Sequence, residues 1–135
     1  MAKKITEIEG IGPVYQEKLA AAGVTTVEDL LEAGASKSGR KKIAEDSELD
    51  ESRILVWVNM ADLFRINGVA SQFAELLKAA GVDTVKELRN RNAENLHAKL
   101  VEVQEEKKIT RSVPGLNQVT DFIEQAKKLK PLVTY

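Results

Sequence analysis

The chain has 135 residues, a formal net charge of −1, no cysteine and a single histidine, His97. That length suits one compact domain burying about two thirds of its unfolded surface, and the inventory excludes disulfides, thiolate zinc sites, cysteine nucleophiles and multi-histidine metal centres. Lys3 and Lys4 precede no apolar stretch, and the longest apolar run, 54–58, is far short of the ~20 residues a membrane span needs, so the expectation is a soluble cytoplasmic protein.

Apolar residues recur at spacings of three and four and do not alternate with polar ones, so an all-α fold is expected. The first helix should run over 13–22, with Pro13 where a missing N–H costs nothing and Gly23 ending it in a left-handed conformation; Tyr15, Leu19 and Ala22 line its buried stripe. Thr25 and Glu28 are spaced as a capping box for a short helix closed by Gly34. Ser38 or Gly39 begins another, to about 46. Asp50 is a good N-cap for the longest and most apolar helix, 51–66, whose only polar stripe is Ser52, Asn59 and Asp62. Such a helix must be buried on most sides, which places it at the centre. Further helices are expected over 71–80, over 85–90 behind Thr84 and Glu87, from the Asn92 cap to 107, and over 116–129. Pro131 stops the last, leaving 130–135 as an extended tail whose Leu132, Val133 and Tyr135 dock onto the body or onto a partner.

This order contains a duplication. Residues 8–30, IEGIGPVYQEKLAAAGVTTVEDL, are echoed by 66–88, INGVASQFAELLKAAGVDTVKEL, at a constant offset of 58 that pairs Gly10 with Gly68, Tyr15 with Phe73 and Gly23 with Gly81. Trp57 to Ala61 match Phe122 to Ala126 at an offset of 65, so the second copy carries seven extra residues, placed near Thr110 to Leu116 where Pro114 and Gly115 mark a loop. A period of this kind signals repeated supersecondary units. The expected organisation is a single domain of two repeats, about 1–60 and 61–135, sharing the helix 51–66.

Ile8-x-Gly10-Ile11-Gly12, followed by a helix that ends at Gly23, resembles the helix-hairpin-helix motif. Two glycines let the backbone pass close to a ligand, and N–H groups of the turn and of the helix start face an anion. The resemblance implies contact with nucleic-acid phosphates without base reading, by two hairpins in pseudo-two-fold arrangement around the central apolar helix, as in SAM/HhH-like helical bundles. The whole sequence, including NLHAKLVEVQEEKK at 95–108, is similar to a bacterial family of tandem helix-hairpin-helix proteins described only as a domain of unknown function. The candidate nucleic-acid-binding residues are Gly10, Ile11, Gly12 and Lys18 in the first copy, and Gly68, Val69, Ala70 and Arg65 in the second.

The two copies depart from a DNA-binding hairpin in different ways. Glu7, Glu9 and Glu17 surround the first turn. In the second, Arg65 stands where the first has Glu7, but Ala70 replaces the second glycine. Val14 and Gln72 occupy positions where DNA-binding versions often carry a cation. The same turns could serve simply as connectors between packed helices. The run Lys37, Arg40, Lys41 and Lys42 reads as a solvated helix face; Lys107, Lys108 and Arg111 with Lys127, Lys128 and Lys130 are better candidates for a phosphate track, with a solubilising surface as their default reading. Trp57 reads as core and His97 as a hydrogen-bonded structural residue. No phosphate-binding helix signature, metal spacing or nucleophile elbow appears, so no enzyme activity and no cofactor are expected. The leading expectation is a non-catalytic module binding nucleic acid, DNA without sequence preference, through hairpin amides; the alternative is a protein-interaction or scaffolding module with purely structural hairpins.

Overall fold

The computed structural model describes residues 3–135, and these are all-helical apart from one isolated antiparallel bridge between Lys4 and Thr26. Eight α-helices follow a short 3-10 turn: α1 Pro13–Ala21, α2 Val27–Gly34, α3 Lys37–Ser47, α4 Glu51–Leu63, α5 Ser71–Ala79, α6 Val85–Arg89, α7 Ala93–Lys107 and α8 Leu116–Lys128. The chain forms two compact units. The first runs to Asp62 and also contains Leu132–Tyr135, and the second is Leu63–Pro131. Among the described residues no helix is long and apolar enough to cross a membrane.

In the first unit, Pro13 opens α1 and Gly23, at φ +83°, turns the chain back so that the Val24 amide reaches the Leu19 carbonyl at 2.9 Å. The capping box ahead of α2 lies one residue later than expected. Thr26, not Thr25, accepts from the Asp29 amide at 3.0 Å, and Asp29, not Glu28, is the reciprocal acid. Asp29 gathers the Thr25 hydroxyl and the Thr25 and Thr26 amides, and these bonds, the Thr25 hydroxyl first, hold its carboxyl below its ordinary range. A depressed carboxylate contributes stability that is complete above its unfolded pKa, about 4, and lost as pH falls through the lower folded value. Urea unfolding from pH ~5 to ~2 should therefore show a shallower acid loss for Asp29→Asn, and Thr26→Ala should cost about 1 kcal/mol at neutral pH.

The α3 helix begins two residues earlier than the glycine suggests, because the Ser36 hydroxyl accepts from the Gly39 amide at 3.1 Å and makes Ser36 the N-cap. Gly34 is the buried last residue of α2 rather than a left-handed cap: a Cβ there would lie 2.5 Å from Val58 Cγ2. In α4, Ile54, Trp57, Val58, Met60 and Ala61 are buried, while Ser52, Arg53 and Val56 are exposed. Asp62 does not share that exposed stripe and is buried; ten residues beyond Ser52 it has rotated about 80° away from it. The tail docks within this unit. The Thr134 amide donates to the Ala35 carbonyl at 2.8 Å, Arg40 Nη2 donates to the Thr134 carbonyl at 2.6 Å, and the Tyr135 hydroxyl reaches Asn59 Oδ1 at 3.4 Å.

The second unit repeats the first half of this plan. Gly81, at φ +94°, ends α5 with the Val82 amide on the Leu77 carbonyl at 2.9 Å. Ahead of α6, Glu87 accepts from the Asp83 amide and the Thr84 hydroxyl, but the Thr84 side chain accepts no amide and Glu87 reaches the amide before the cap rather than that of Thr84, so the expected capping box does not form. Asn92 caps α7 by accepting from the Asn95 amide at 3.0 Å. Leu76, Leu77, Leu88, Leu96, Leu100, Val119 and Phe122 are fully or almost fully buried.

The seven extra residues are not confined to the loop. Corresponding caps are offset by 58 at Thr26 and Thr84, 56 at Ser36 and Asn92, and 60 at the left-handed Glu48 and Lys108. The span from cap to cap before α7 is thus two residues shorter, because α6 has three residues fewer than α2, α7 is about one turn longer than α3, and the rest lies in 108–115. There Gln104 holds the Thr110 backbone, accepting from its amide and donating to its carbonyl. His97 is half-buried, and its imidazole makes no hydrogen bond among the described residues, so the expected hydrogen-bonded role is not seen.

Candidate functional site

The two glycine turns follow one backbone path. Gly10 and Gly68 have φ of +95° and +98°, a region closed to ordinary L side chains. The next-but-one residues are extended, Gly12 at φ −96°, ψ −169° and Ala70 at φ −115°, ψ −170°. Only the first glycine of each turn is conformationally required. Ala70 therefore leaves the backbone unchanged and fills space that is open in front of Gly12, where a Cβ meets nothing within 4 Å.

The amides divide into two groups, which corrects the expectation that all three residues of each turn present N–H outward. Ile11 and Val69 are buried, and their amides donate back to the Ile8 and Ile66 carbonyls at 3.2 and 3.1 Å. Their side chains anchor the turn, which is why their amides face inward. The amides of Gly10 and Gly12, and of Gly68 and Ala70, donate to no described residue. The first amides of α1 and α5 are also without intrahelical partners, since the Gly12 carbonyl is first used by Gln16 and that of Ala70 by Ala74.

The expected cations serve these turns poorly. Lys18 is exposed in the last turn of α1, about 7 Å along the axis from Pro13. Arg65 Nη2 donates to the Lys130 carbonyl at 2.7 Å, beyond the C-terminal end of α8. The second turn is also braced by Asn67, whose amide and carbonyl bond the Gln125 side chain at 2.9 and 3.1 Å. In front of it lies a depression of about 260 Å³ lined by Gly68, Ala70, Ser71, Gln72 and Phe73.

Each turn is backed by an aromatic pair. Tyr15 and Trp57 have ring centroids 5.2 Å apart, and Phe73 and Phe122 6.3 Å, both tilted. Trp57 Nε1 lies 3.7 Å from where a Cβ on Gly10 would sit, and Phe122 Cε1 lies 3.0 Å from the same point on Gly68. The Arg53 guanidinium lies 5.1 Å from the Tyr15 ring centroid. Arg53 is the cation that sequence reading missed near the first turn; its position one turn before Trp57 on α4 is the signal that could have found it. Glu7, Glu9 and Glu17 are exposed, as are Lys107, Lys108, Arg111, Lys127, Lys128 and Lys130. Among the described residues no three His, Asp or Glu side chains gather to hold a metal ion. The arrangement can donate hydrogen bonds to an anion.

A family model described as a domain of unknown function (DUF4332) matches residues 9–129. In part, the chain is also similar to the poly(3-hydroxyalkanoate) polymerase subunit PhaC of Haloferax mediterranei, 41% identical over 54 residues, which are 40% of this chain and 10% of that protein. The chain thus spans about a tenth of that curated relative's length. No solved structure matches.

Proposed function

The chain belongs to the DUF4332 family, whose description carries no activity to inherit, and we propose from its own residues that it is a non-catalytic tandem helix-hairpin-helix module that contacts nucleic-acid phosphates weakly and without sequence preference. One observation supports this reading above the others. Outward amides stand at equivalent positions of two turns, Gly10 and Gly12 in one and Gly68 and Ala70 in the other, each just ahead of a helix start. Backbone donors at a helix N-terminus favour phosphate whatever the base. The module would act in the cytoplasm on DNA.

Fluorescence anisotropy with a labelled duplex, titrated at several salt concentrations, tests it. Affinity should fall with salt, with a log-log slope of about −0.9 for each phosphate neutralised by a nearby lysine or arginine. Gly12→Glu, which places a carboxylate in the open space before the first turn, should abolish retention of the duplex without unfolding the chain. A flat isotherm on duplex and single-stranded probes at low salt overturns the proposal.

The exposed Glu7, Glu9 and Glu17 around the first turn favour a second reading, a protein-interaction module in which the turns only brace helices.

A further inference from the structure

The two turns share a backbone but not what lies behind it, and the difference separates their roles. Trp57 is only 3% exposed, yet its indole N–H has no hydrogen-bond partner among the described residues. No fully buried polar side-chain atom goes unpaired there, so this N–H reaches the surface, and it does so beside Gly10. Open to water at one edge and bonded to no described residue, this donor can be taken up by an incoming acceptor without breaking a bond within the protein. In the second unit the equivalent ring is Phe122, which has no donor and presses to 3.0 Å from the Cβ position of Gly68.

Resting on the nucleic-acid reading above, we infer that the first turn is the phosphate-binding one, with the Trp57 indole N–H donating to a backbone phosphate oxygen beside the Gly10 and Gly12 amides, and that the second turn is a brace. The donors are neutral and fixed in direction, so they can serve a phosphate despite the three solvated carboxylates nearby. Arg53, held against Tyr15 one helical turn from Trp57, supplies the local positive charge. The second turn lacks this set: its Arg65 bonds the Lys130 carbonyl and its Asn67 is tied to Gln125.

Trp57 is the chain's single tryptophan, so one indole ¹H–¹⁵N resonance and one emission band report on it alone. Titrating the full chain with a short oligonucleotide at low salt should shift that resonance with the midpoint seen by anisotropy. Inorganic phosphate at the same concentration should leave it in place. Trp57→Phe, which installs the ring type already present at 122, should weaken binding about tenfold, and Gly12→Glu should weaken it far more than Ala70→Glu. Oligonucleotide binding with an unmoved indole resonance overturns the inference and leaves the nucleic-acid reading standing. Absence of any binding overturns both. An equal response to inorganic phosphate shows a free-anion site and overturns the inference. Because the resonance is read on the unaltered chain, the outcome does not depend on how the variant folds.

Discussion

Gly39→Ala is expected to destabilise the first unit by about 3 kcal/mol, against the ~1 kcal/mol of stabilisation that helix propensity alone assigns to replacing glycine by alanine within a helix. The sign turns on one distance. A Cβ at Gly39 would lie 1.9 Å from the Ala33 carbonyl oxygen and 3.1 Å from its carbon. Both are backbone atoms in the last turn of α2, so no side chain can swing aside. Relief requires α2 and α3 to separate, which would also loosen the Ser36 cap and the buried Ile43. Chemical denaturation of the two proteins decides between propensity and packing, because the two effects have opposite signs.

Arg40→Ala should cost a similar amount, about 3 kcal/mol, and should release the tail. Arg40 is 3% exposed and its guanidinium donates only to carbonyls, with Nη1 on Gly34 and Ala35 at 2.9 and 3.0 Å and Nη2 on Thr134 at 2.6 Å, while it lies 5.9 Å from the Tyr135 ring centroid. Among the described residues no carboxylate pairs with it. The first two carbonyls stand at the C-terminal end of α2, where the helix dipole favours a cation. Bonds to a charged donor are each worth about 1.5–3 kcal/mol, and truncation also strands acceptors away from water. Hydrogen exchange gives a local readout: protection of the Thr134 amide, bonded to Ala35 at 2.8 Å, should disappear in Arg40→Ala and survive in Lys41→Ala, whose side chain is exposed. Arg40→Lys should rescue only in part, since an ammonium is a point donor and cannot span three carbonyls as a planar fork does.

Sequence periodicity carried the helices to within a few residues, because glycine, proline and cap residues act locally. The duplication located both turns and paired Trp57 with Phe122 before any coordinates. What it missed depends on neighbours distant in the chain. Arg40 read as one of four solvated cations because the run at 37–42 says nothing of the Thr134 carbonyl 94 residues away. Gly34 and Gly39 read as helix punctuation, whereas their contacts are with Val58 and Ala33. At the turns, the glycines announced a close backbone but not which amides face inward. That depends on Ile11 and Val69 being buried, a property of the packed unit. Thr25 and Thr26 were not separable by spacing, since each has an acid three residues on.

The docked tail also bears on how the protein is made. Ala35 and Thr134 are 99 residues apart, and all of Leu63–Pro131 is translated between them. On the ribosome the first unit therefore emerges early but waits, its Arg40 fork still lacking the Thr134 carbonyl, while the second unit can form from one unbroken stretch. The contact that completes the Arg40 fork thus becomes available only after every residue of the second unit has been made.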